Sequence, residues 1–223
     1  MEARLTAIDR GQVLQYLGFR GGELPPELED SLRRCEAQLL ETAHPRVLWK
    51  LFPLLPDGSL AGSCFRPEGR DIRAFLRDCG ELILMAATLG AEVERLIRKT
   101  QLSDMAEAMI LDACGSAAIE NVCDNLCGDL AAELKPRHLT DRFSPGYGDF
   151  PLSQQAELFS VLDVTRRIGV TLSPGGLMLP QKSVTALIGV SDRPQPMRPR
   201  GCAACSLRES CAFRKEGKRC ANA

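Results

Sequence analysis

The sequence predicts an α+β fold, with helices packed on a twisted, mostly antiparallel sheet and a Cys-rich C-terminal appendage. Three observations lead there. Apolar residues recur at three- and four-residue spacing through the front and middle of the chain, as surface helices require. The nearly continuous apolar run from Glu81 to Thr88 and the short apolar segments between Val170 and Val190 read as strands. Regular strand–helix alternation is not visible, and neither a Gly-x-Gly-x-x-Gly helix opening nor a Walker loop occurs, which argues against a doubly wound parallel sheet.

Taken in order, residues 1–45 are helical. Ile8, Val13, Leu14 and Leu17 mark a first helix, punctuated by Gly18, Gly21 and Gly22. Leu28, Leu32, Cys35 and Leu39 mark a second over Glu27 to Thr42. Arg46 to Leu55 is a strand followed by a turn at Asp57-Gly58. A short helix over Ile72 to Arg77 precedes a central strand, Glu81 to Thr88, and a helix over Ala91 to Lys99. Ser103 is the expected N-cap of a proline-free stretch reaching Leu134, with Asp104 and Glu107 in its first turn. Met105, Met109, Ala113, Val122, Leu126, Leu130 and Leu134 give it an apolar stripe. It is one long helix or two broken near Gly115, and its small residues predict close packing against another backbone. Arg142 to Pro151 is a loop. Ser153 caps a helix carrying Leu158, Phe159 and Leu162, and strands follow at Val170–Leu172, Leu177–Leu179 and Ser183–Val190. Pro194, Pro196 and Pro199 then form a stiff linker, dividing the chain into a domain over 1–191 and a tail over 192–223.

Composition narrows the function classes. At about 150 residues per domain, 223 residues suffice for a sizeable core without disulfides. The net charge of −1 and 5% aromatic content speak against nucleic acid as a partner. No run approaches the ~18 apolar residues of a membrane span. The first residues lack the apolar core of an export signal, so a cytoplasmic location is expected. In that reducing compartment Cys35, Cys64, Cys79, Cys114, Cys123 and Cys127 are expected as small buried hydrophobes.

The loop Arg142-Phe-Ser-Pro-Gly-Tyr-Gly-Asp-Phe-Pro151 carries the most chemistry. Gly146 and Gly148 permit positive φ and a close backbone approach by a ligand. Pro145 drives Ser144 into an extended conformation, leaving backbone groups of Phe143 and Ser144 free to meet a partner. Arg142 can fork onto a carboxylate or phosphate, and Tyr147 offers a flat ring and a hydroxyl. The plainer alternative is a structural corner, with Arg142 in a surface ion pair and Tyr147 half-buried. Upstream, Glu120 and Asp124 stand four apart on one helix face. This costs roughly a few tenths of a kcal/mol that a cationic ligand would relieve, unless both are simply solvated or meet Lys or Arg.

Arg142-Phe-Ser-Pro-Gly146-Tyr147 resembles the Arg-x-x-x-Gly-Tyr motif of the reactivation domain of vitamin B12-dependent methionine synthase. Ile168-Gly-Val-Thr-Leu172 and Leu179-Pro-Gln-Lys-Ser-Val184 follow in the family's order, and Ala118-Ile-Glu-Asn-Val122 is similar to its acidic helical segment. The likeness covers roughly residues 60–191 and suggests the free-standing version, found where the synthase lacks its own reactivation domain. It implies a methyltransferase component. Such a protein binds S-adenosylmethionine and supports reductive remethylation of cobalamin on a separate methionine synthase or other corrinoid protein, with a low-potential donor such as flavodoxin or ferredoxin. Carried over, Arg142 grips the methionine carboxylate, Ser144 supplies backbone bonds and Gly146 allows close approach. Tyr147 shapes the site as its candidate catalytic residue, and Glu120 faces the ligand's positive charge. The family's acidic residue near its own start has no counterpart here. No Asp-x-His-x-x-Gly cobalamin signature is present and His138 reads as a surface residue, so the corrinoid arrives on the partner.

Cys202-x2-Cys205-x5-Cys211-x8-Cys220 is a separate feature, set among Arg208, Arg214, Lys215, Lys218 and Arg219. Basic neighbours favour thiolates. Four thiolates suit a 4Fe-4S cluster or zinc, although the spacing matches neither common ferredoxin pattern nor paired zinc knuckles. The alternatives are a tail of free thiols, or a basic tail of net charge +5 that docks an acidic electron carrier. A cluster would also support a second function, an iron–sulfur electron-transfer module that activates a corrinoid protein without productive S-adenosylmethionine binding.

Overall fold

The computed structural model describes residues 3–19 and 23–194, together with Glu209. The elements run α1 (Arg10–Tyr16), α2 (Pro26–Thr42), β1 (Arg46–Pro53), α3 (Arg70–Phe75), β2 (Glu81–Thr88), α4 (Ala91–Gln101), α5 (Met105–Glu133), β3 (His138–Leu139), α6 (Gln155–Leu162), α7 (Val164–Ile168), β4 (Thr171–Leu172), β5 (Met178–Leu179) and β6 (Ser183–Ser191). The fold is α+β, as the sequence predicts. Four strands form an antiparallel sheet in the order β1-β2-β6-β3, while β4 and β5 pair separately as a hairpin. No helix among the described residues is long and apolar enough to cross a membrane.

The sheet is covered on both faces, which explains the unbroken apolar run of β2. Ile83, Met85 and Ala87 face one core with Ala186, Ile188 and Val190 of β6 and the inner sides of α1, α2, α4 and α5. Leu82, Leu84 and Ala86 face a second core with Leu187, Leu48, Phe52 and residues of α3, α6 and α7. A strand buried on one side only would alternate. Register is set by this division, Glu81 lying opposite both Pro53 and Val190.

At its ~1.5 Å rise per residue, the 29-residue α5 crosses the whole first core. It is not broken at Gly115. At Gly115 the close neighbour is a side chain: a Cβ there would lie 3.1 Å from Lys182 Cε. The Lys182 ammonium reaches Asp112 Oδ1 and Ser116 Oγ, each at 2.8 Å. The N-cap is Asp104, whose carboxylate accepts from the Glu107 amide at 2.9 Å, while the hydroxyl of Ser103 turns back to Thr100 O. Met105 and Met109, four apart, are exposed rather than part of the apolar stripe, because the buried face of these turns is carried by Ala108 and Leu111.

Ser153 lies in a 3-10 turn and caps nothing; α6 begins after it. The sequence reading misses α7 and β3, both too short to show a period. Of the six described cysteines, all free, Cys35, Cys114 and Cys123 are buried and Cys79 and Cys127 half-buried. Cys64 is exposed, contrary to expectation, in the turn between the buried Leu60 and Phe65.

Candidate functional site

Two elements meet at Arg142. On α5, Glu120 and Asp124 stand one turn apart and share a face. After β3 the chain continues along β6 but slips by one residue. Pairing of His138 with Ser191 and Leu139 with Val190 brings Thr140 to Gly189, and the Thr140 amide donates to Gly189 O at 2.9 Å. Phe143, however, is bridged to Leu187. Asp141 and Arg142 therefore stand together opposite the single residue Ile188, as in a β-bulge. The bulge decides where Arg142 points. Strict alternation from Leu139, which packs in the first core, would turn Arg142 toward α3. The extra residue returns it to the α5 side and sends Phe143 to the second core, against Phe75 and Phe150.

There the guanidinium is clamped. Nη2 donates to Glu120 Oε2 at 2.5 Å and Nη1 to Asp124 Oδ1 at 2.7 Å, with Cys127 Sγ 3.7 Å from Nη1. The Arg142 side chain is only 20% exposed, against 35% for Glu120 and 57% for Asp124. Burial works against its charge, but Cys123 and the two carboxylates outweigh that and hold its pKa above the ordinary value. Burial also pushes the Cys123 thiol up to about 12 and raises that of Cys127, with Arg142 opposing in both, so both remain thiols at neutral pH.

The following turn is fixed by its own backbone and by α3. The Tyr147 amide donates to Ser144 O at 3.1 Å, that of Gly146 to Phe150 O at 2.8 Å, and that of Phe150 to Tyr147 O at 3.0 Å. Gly146 and Gly148 both have positive φ, 94° and 54°. Asp149 then caps α3 from outside, Oδ2 accepting from the Arg70 amide at 2.8 Å and Oδ1 from Asp71 at 2.9 Å. The approach is close: a Cβ on Gly69 would lie 2.9 Å from the Asp149 carbonyl oxygen, and one on Gly148 would lie 2.3 Å from Asp71 Oδ2. The turn leaves Tyr147 61% exposed, edge-on to Phe143 at 6.3 Å. The expected freedom of Phe143 is corrected: its N–H and C=O both pair with Leu187, at 2.9 and 2.8 Å, because the bridge extends the sheet. Ser144 keeps an amide with no bond among the described residues.

The N-terminal segment supplies a wall that the sequence reading misses. Asn125 Nδ2 donates to Arg4 O at 3.1 Å, and the Asp9 amide donates to Asn121 Oδ1 at 2.9 Å, laying this segment along α5. Arg10 forks onto Glu36 at 3.0 and 2.7 Å and reaches Glu29 at 2.7 Å, tying α1 to α2. Tyr16, 53% exposed, ends α1 near Glu120 and Tyr147. Burial and then these two neighbours raise its hydroxyl pKa. The available signal was an aromatic residue off the stripe of Ile8, Val13, Leu14 and Leu17.

Of the candidate residues, Arg142 and Glu120 are thus brought into contact, and Ser144, Gly146 and Tyr147 form the adjoining turn. Asp124 and Tyr16 join them. His138 is half-buried in β3. Cys202, Cys205, Cys211 and Cys220 lie outside the described residues. Among the described residues no group of three or more His, Cys, Asp and Glu is placed to hold a metal ion.

The two-core α+β fold has a solved counterpart. The chain has the fold of a reactivation domain, similar to "MetH Reactivation Domain bound to AdoHcy", at a TM-score of 0.59 over 95% of this chain and 82% of that one. Identity between the two is 14%, so the likeness is one of fold. No family model and no curated protein matches the sequence.

Proposed function

We propose that this chain binds S-adenosylmethionine beside Arg142 and presents its methyl group to the cobalamin of a separate methionine synthase or other corrinoid protein, reactivating it. The observation that carries this reading is the Arg142–Glu120–Asp124 cluster, with the exposed Tyr16 near Glu120 and Tyr147 in the adjoining turn. The reactivation-domain fold, solved elsewhere with AdoHcy, supports it. The chemistry fits the ligand. A carboxylate calls for a guanidinium, an ammonium and a sulfonium call for carboxylates, and an adenine calls for an aromatic face. Arg142 holds the carboxylate, Glu120 faces the cationic end and the Ser144 amide offers a backbone donor. Tyr147 and Tyr16 flank the ring system.

The corrinoid supplies the methyl acceptor, and an external low-potential donor such as a flavodoxin or ferredoxin keeps it reduced. The chain itself contributes proximity and orientation and needs no nucleophilic side chain. Calorimetric titration with S-adenosylmethionine to ~1 mM, beside Arg142→Ala, tests the reading. Loss of one charge-assisted fork costs ~1.5–3 kcal/mol, so the variant is expected to bind roughly ten- to a hundredfold more weakly. Absence of saturable binding by the wild-type chain overturns the proposal.

A further inference from the structure

We infer that Asp124 is a specificity-determining residue that occupies the place of the ligand carboxylate on Arg142 and must yield it for the ligand to bind. The inference rests on the function proposed above. Both terminal nitrogens of Arg142 are engaged, and Nη1 is engaged twice, by Asp124 at 2.7 Å and by Cys127 Sγ at 3.7 Å. A two-point fork across these nitrogens therefore cannot form while Asp124 stays in place. The local charge agrees. One guanidinium faces two carboxylates, so the clamp carries −1 and repels a third carboxylate at short range while attracting cationic groups.

The two clamp residues are not equivalent. Glu120 is the less exposed and takes Nη2 alone. Asp124 is 57% exposed and one rotamer change from water. Exposed ion pairs of this kind are weak, so a ligand carboxylate with better geometry displaces Asp124 at modest cost. The clamp thereby keeps Arg142 oriented when empty, and Asp124, as a competitor, narrows the preference for ligands carrying both a carboxylate and a positive group over those carrying only the positive group.

The test compares S-adenosylmethionine with its decarboxylated form, which keeps the sulfonium, amine and adenosine, on the full chain by calorimetry. Asp124→Asn, nearly isosteric, removes the competitor. It is expected to raise the preference for S-adenosylmethionine over the decarboxylated form by about two- to fivefold, the worth of an exposed pair. Asp124→Ser, compared with it by thermal melting, guards against a variant that fails to fold. A preference that is unchanged or reduced in both variants overturns the inference while leaving the proposed function standing. Failure of the wild-type chain and both variants to bind S-adenosylmethionine overturns both.

Discussion

Arg142 carries its charge in a setting that buries most of its side chain, and two carboxylates face it there. Those partners are not equally dependent on it. Glu120 and Asp124 keep enough exposure to rehydrate, so Arg142→Ala is expected to cost only about 1 kcal/mol of stability. Urea unfolding checks this, and it separates loss of binding from loss of folding. At this scale the sequence was informative where a residue type was unusual for its place. Arg142, Gly146 and Tyr147 stood out as a loop motif, and Glu120 with Asp124 as a repulsive pair lacking a partner. That Arg142 is the partner depends on the bulge, which leaves no mark in the sequence. Tyr16 was equally hidden, since its place beside Glu120 is set by contacts of Arg4 and Asp9 with α5, over 100 residues away.

Among the elements, α3 is the one whose end is built by a distant residue. Gly69 has no side chain to cap it, and Asp149 serves instead, with a separate oxygen for each of two amides. The Asp71 and then the Arg70 amide hold the Asp149 carboxyl below its ordinary range. A carboxylate depressed in this way stabilises the fold above about pH 4, and the contribution disappears as the pH falls through the folded-state value. Asp149→Asn retains one acceptor oxygen and no charge. It should lower the melting temperature most near neutral pH, with the difference closing only as the pH falls below the ordinary carboxylate range, as measured by differential scanning calorimetry. The long elements were legible before the structure, β2 to the residue and the outer bounds of α5 to within one, with its continuity at Gly115 left open, because burial leaves a continuous or periodic pattern in each. The N-cap was misplaced by one because Ser103 and Asp104 are both good caps, and only the turn back to Thr100 distinguishes them.

At the scale of the whole molecule, β2 belongs to both cores at once. Neither core can open without exposing the strand that the other rests on. Leu84→Ala, in the second core, is expected to cost about 2–5 kcal/mol. Its near- and far-ultraviolet circular dichroism transitions should still coincide in urea, with the first core lost in the same step. Two separated transitions would contradict that coupling. The bulge at Asp141 and Arg142 has a different kind of consequence. Surface connections ordinarily leave the direction of a side chain loose, but here the register against β6 between Leu139 and Phe143 acts as a compass. Closing the bulge by a one-residue slip, so that Arg142 came opposite Leu187, would swing the guanidinium to the far side of the sheet, away from Glu120, with every side chain chemically intact. The aim of this largely buried cation is thus held by where two strands meet and not by the identity of any residue between them.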